Sequence, residues 1–124
     1  MSLSMIRLGL RSARMLERLL EDGLCIAPAT MVELAAAFAG NLPEQKRSLA
    51  QAGISFVEPW TSSDMESSHA AWNAYVKRRR TEKIARRPIA DILIGGFAVN
   101  RQGLVTRNPA DFKPWFPRLV IREP

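Results

Sequence analysis

The sequence predicts an α/β fold, a parallel sheet with helices on both faces, and two observations lead to it. Short apolar runs at residues 24–27, 54–57, 104–105 and 119–121 alternate with longer segments of helical periodicity. Strands that alternate with helices pair in parallel and are covered on both sides. The 124 residues, 47% hydrophobic and 24% charged, are also enough to bury one core, and they hold no repeat, linker or low-complexity tract. A single domain over residues 1–124 is expected.

The elements follow in order. Between residues 11 and 21, Met15, Leu16, Leu19 and Leu20 share one helical face, and Asp22 and Gly23 end that helix. Residues 24–27 form a short buried strand. Thr30 is expected to cap a helix to about Phe38, with Glu33 placed for a capping box. Pro43, at a first-turn position, opens the next helix to about Ala52. Gly53 ends it, and residues 54–57 make the second strand.

Ser62 or Ser63 caps a long helix with Asp64 and Glu66 in its first turn. Its apolar stripe is Met65, Trp72 and Val76, with His69 on the same stripe as a half-buried packing residue. Tyr75 and the arginines beside it are candidates to stack on nucleic-acid bases, or Tyr75 simply packs at the helix surface. Pro88 opens a nearly wholly apolar helix to about Asn100, which should therefore be buried, Gly95 and Gly96 permitting close approach. Residues 104–105 and 119–121 supply the last strands. Trp115 and Phe116, between Pro114 and Pro117, staple the loop before the last strand or serve an interface.

The formal charge of +6 is localised. Lys77, Arg78, Arg79, Arg80, Lys83, Arg86 and Arg87 crowd one stretch against the single acid Glu82, and the rest of the chain is balanced. Such a patch fits a polyanion or an acidic protein partner, or a solvated helix end favoured by the helix dipole. No apolar stretch approaches the ~20 residues of a membrane helix, and residues 1–7 lack the apolar core of a signal peptide. The lone Cys25 makes no internal disulfide and suits a reducing, cytoplasmic setting.

Three carboxylates stand out. Glu33 follows the first short strand; Asp91 sits alone in the run Ile89, Ala90, Asp91, Ile92, Leu93, Ile94; Asp111 follows Asn108 and Pro109. Each has a structural explanation, as a capping-box acid or a first-turn acid, Asn108 being the cap for Asp111. Together they suit a divalent cation, because the carboxyl ends of parallel strands converge on one crevice and magnesium and manganese prefer oxygen donors. Such a cation lowers the pKa of a bound water and stabilises charge on a phosphodiester. Thr106 and Asn108 would orient water or a ligand carboxylate.

Three segments carry a family resemblance: residues 25–34 with Thr30 and Glu33, residues 88–95 with Asp91, and residues 103–112 with Val105, Thr106, Arg107, Asn108, Asp111 and Phe112. In these the chain resembles PIN domains, in particular the VapC-like toxins of toxin–antitoxin pairs, over about residues 11–124. The resemblance implies a three-layer α/β/α sandwich around a parallel sheet and metal-dependent cleavage of RNA by Mg2+ or Mn2+. It also implies inhibition by a small antitoxin, and a homodimer. By the same resemblance Glu33, Asp91 and Asp111 are the metal-site and catalytic acids, assisted by Thr106 and Asn108. Either Asn108 or Asp111 fills the last position. The family opens with a strand ending in aspartate; here residues 5–8 are the candidate strand, and Gly9 stands in the place of that acid. The first strand is therefore missing or atypical, and a degenerate domain that binds RNA or antitoxin without cleaving is the alternative.

Overall fold

Strand β1 (Leu24–Cys25) pairs in parallel with β2 (Ile54–Ser55), Leu24 opposite Ile54 and Cys25 opposite Ser55. A parallel pair needs a crossover rather than a tight turn, and helices supply it. The computed structural model describes residues 18–21, 23–83 and 89–123. These divide into two compact units, the described residues up to Pro59 and then Trp60–Glu123.

In the first unit the crossover is α1 (Pro28–Glu33), a 3-10 turn at Ala36–Phe38 and α2 (Leu42–Gln51). Ile26, Leu34 and Leu49 form its core, with Met31, Phe38, Ile54 and Phe56 packed around them. Gln45, fully buried on α2, donates from Nε2 to the Met31 carbonyl at 2.9 Å, which ties α2 to α1 and satisfies a costly buried amide. Asn41 caps α2, its side chain accepting the Glu44 N–H at 3.1 Å, and Pro43 lies in the first turn as expected.

The second unit is built on α3 (Ser62–Thr81) packed against α4 (Ile89–Ala98), followed by β3 (Leu104–Val105), a 3-10 turn at Pro109–Asp111, and β4 (Ile121–Arg122). β3 and β4 are again parallel, Leu104 opposite Ile121. Ala71, Ile92 and Phe116 centre this core. Residues 94–98 of α4 and Ile92 are buried, and covering Ile92, Ile94 and Phe97 contributes roughly 1.5–3 kcal/mol each.

The two glycines of α4 are there for steric reasons: a methyl on Gly95 would overlap the Phe116 ring, and one on Gly96 would overlap Ser68 of α3. Gly103 differs. Its φ of +147° is unsuited to other residues, and an added Cβ would stand 2.6 Å from the Val120 carbonyl oxygen that accepts the Leu104 N–H.

The chain is thus mixed α/β with parallel strand pairing. Several local expectations are corrected. Thr30 caps nothing: Pro28 at the first helical position starts α1 earlier, the N-cap is Ala27, and Thr30 is buried inside the helix. That helix ends at Glu33, and only a 3-10 turn continues to Phe38.

The cap of α3 is Thr61, not Ser62 or Ser63. Thr61 is followed three residues later by Asp64, and the two form a reciprocal capping box. The inward face of α3 is Asp64, Ser68, Ala71 and Tyr75, while Met65 is 49% exposed and His69 is exposed. Tyr75 is fully buried, not a surface residue. The expected pattern went astray because Ser68, small and polar, holds the contact with α4 where Gly96 brings the two helices too close for a larger side chain. The expected strand at residues 5–8, the Gly9 position and most of the first helix lie outside the described residues. No helix among the described residues is long and apolar enough to cross a membrane.

Candidate functional site

Glu33 is the last residue of α1, exposed, and belongs to the first unit; Asp91 and Asp111 belong to the second. Asp91 is half-buried in the first turn of α4, whose partial positive charge favours an anion. Asp111 is half-buried at the end of the 3-10 turn that follows β3, and its N–H donates to the Asn108 carbonyl at 3.0 Å. Thr106 and Asn108 are brought together: the Thr106 hydroxyl accepts the Asn108 N–H at 3.1 Å. This bond shapes the turn that leads from β3 to Asp111. Asn108 stands at the N-cap position, but its side chain makes no cap hydrogen bond.

Carboxylate oxygens are the donors that magnesium and manganese prefer. Among the described residues, however, no three Asp, Glu, His or Cys side chains come together as a cation would require.

The basic cluster is displayed. Lys77, Arg78, Arg79 and Arg80, on the last turns of α3, and Lys83 just beyond are all exposed; Arg86 and Arg87 lie outside the described residues. At 3.6 residues per turn, Lys77 and Arg80 project away from the buried face, and Arg78 and Arg79 flank it on either side of Tyr75. Arg78 is the organised member. Its guanidinium meets Glu82 at 3.2 Å, and its guanidinium carbon lies 5.1 Å from the centre of the Trp115 ring. Trp115 meets Tyr75 edge to face, with ring centres 5.3 Å apart, and Tyr75 meets Trp72 at 5.1 Å. Trp115, expected to staple a loop or serve an interface, thus supports an arginine. Sequence spacing held no sign of this, because Trp115 and Arg78 are distant in the chain.

A second arrangement unforeseen in the sequence is a buried ion pair. Asp64, with no exposed surface, accepts from Arg101 at 2.9 and 3.2 Å, from the Asn100 amide at 3.0 Å and from the Thr61 N–H at 2.9 Å. Arg101 also donates to the Phe97 carbonyl and lies over the Phe97 ring, 3.4 Å from its centre. Burial opposes ionisation of Asp64, but the Arg101, Thr61 and Asn100 hydrogen bonds and the charge of Arg101 outweigh it and hold the carboxyl below the ordinary aspartate value. The clue in the sequence was the Thr61-x-x-Asp64 spacing. With every acceptor position engaged, Asp64 serves the fold.

Comparison with protein-family models, with curated proteins and with solved structures finds no match for this chain.

Proposed function

We propose that this chain is a VapC-like PIN-domain protein that engages RNA through the basic end of α3. The observation that carries the reading is that Lys77, Arg78, Arg79, Arg80 and Lys83 are all exposed on one helix end, with a single acid, Glu82, among them. Basic side chains so placed release counterions from a phosphate backbone, so binding should weaken steeply with salt. Parallel pairing within each unit supports the α/β class that this reading entails. A small antitoxin and a second copy of the chain are its expected protein partners.

The magnesium- or manganese-dependent endoribonuclease is the second reading, favoured by Asp91. Asp91 offers a half-buried carboxylate in the first turn of α4, the kind of oxygen donor these cations prefer. Asp111, on its Thr106-ordered turn, is the companion acid, and Glu33 the third. The distinguishing experiment incubates a structured RNA with the purified chain and manganese, beside Asp91→Asn and an EDTA control, and follows RNA binding at rising salt. Cutting that is lost in Asp91→Asn and in EDTA establishes the nuclease. Salt-sensitive binding without cutting establishes the RNA-binding module. Neither binding nor cutting overturns both readings.

A further inference from the structure

We infer that Arg78, braced by Trp115 and Glu82, is a stacking platform for an unpaired base of single-stranded RNA; this rests on the RNA-binding reading above. A free surface arginine samples many rotamers, and ordering it on a ligand costs entropy. Arg78 is held beforehand. Glu82 takes one edge of its guanidinium at 3.2 Å, the Trp115 ring lies 5.1 Å from its central carbon, and the side chain remains 49% exposed.

The brace is itself anchored. Trp115 packs against the Ala71, Ile92 and Phe116 core and meets the fully buried Tyr75 edge to face. Backbone bonds fix the last turn of α3 as well: the Glu82 N–H donates to the Arg78 carbonyl at 2.8 Å, and the Thr81 hydroxyl to the same oxygen at 3.2 Å. A planar cation braced on one side presents its exposed side to a base, as arginine does in recognition of unpaired nucleotides. Lys77, Arg79, Arg80 and Lys83 around it attract the phosphates.

The chemistry selects the partner. Phosphates alone need only positive charge, which lysine supplies as well as arginine. A braced guanidinium beside an aromatic cluster adds affinity only where flat, unstacked bases are available, and a duplex keeps its bases stacked. The expected ligand is therefore a single strand, bound with little sequence preference, since every base has a face to stack.

The test measures binding of an oligoadenylate and of an abasic strand with the same number of phosphates, at one salt concentration, by fluorescence anisotropy. The proteins are the unaltered chain, Arg78→Lys, and Arg47→Lys as a control that makes the same chemical change at an exposed, glutamate-paired arginine outside the basic cluster. Both substitutions keep the charge at exposed positions, and thermal melting checks that each variant folds. The unaltered chain and Arg47→Lys should prefer the base-bearing strand roughly tenfold. Arg78→Lys should bind the two strands alike while retaining its affinity for the abasic one. Equal binding of both strands by the unaltered chain, or an unchanged preference in Arg78→Lys, overturns the platform but leaves RNA binding intact. Absence of binding to either strand overturns the RNA reading itself, and the platform with it.

Discussion

Arg101 holds Asp64 through two hydrogen bonds, 2.9 Å to Oδ1 and 3.2 Å to Oδ2, joining the first turn of α3 to the residues that follow α4. Asp64 is fully buried, and the Arg101 side chain is 18% exposed. The same carboxylate closes the Thr61 capping box. One side chain therefore both starts α3 and fixes the far end of its partner helix.

Removing one member of such a pair leaves the other charge in a poorly solvated place, which costs more than the intact pair contributes. Asp64→Asn should lower stability by roughly 3 kcal/mol, read from urea denaturation at neutral pH. Asp64→Leu combined with Arg101→Met should lie closer to the unaltered protein than either single change. A denaturation midpoint of Asp64→Asn matching that of the unaltered protein would show the pair to be idle.

Acid should act through the same group. The carboxyl of Asp64 holds its proton less tightly in the folded state than in the unfolded chain. As pH falls the unfolded state takes up that proton first, so stability is complete above the unfolded value, about 4, and is lost as pH drops through the depressed folded value. Urea midpoints measured downward from neutral pH should decline below about pH 4, and in Asp64→Asn that decline should be shallower. Parallel curves for the two proteins would assign acid sensitivity to other carboxylates.

Gly96 and Ser68 define how closely α4 approaches α3. Gly96→Ala places a methyl against the Ser68 side chain and within 3.0 Å of its backbone nitrogen. The helices must then part, at a cost of about 1–3 kcal/mol despite the better helix propensity of alanine. Adding Ser68→Gly should recover part of the loss, and a thermal-melting cycle over the four proteins measures the coupling.

Thr30 offers the opposite sign. Its hydroxyl oxygen is buried and has no hydrogen-bond partner among the described residues. Thr30→Val keeps the shape and removes the unsatisfied group, so it should stabilise the protein by about 1 kcal/mol. A lower melting temperature would instead show that the hydroxyl has a partner in solution.

The sequence by itself determined the succession of elements. The four short strands, the start of α2 and the burial of α4 all follow from local apolar runs, Pro43 and the absence of charge after Asp91. It also marked where positive charge is concentrated, because seven basic residues lie close in the chain. Those properties depend on neighbours within a few residues, and local chemistry sets them.

Only the tertiary structure decided which face of α3 turns inward. The apolar stripe favoured the face of Met65, but Gly96 of α4 brings the helices so close that only a small residue such as Ser68 fits there, and Asp64 is drawn in by Arg101. It likewise decided that Trp115 meets Arg78. The physical reason is common to both. A side chain's role depends on the volume and charge brought opposite it by segments remote in sequence, and periodicity along one segment carries no information about them.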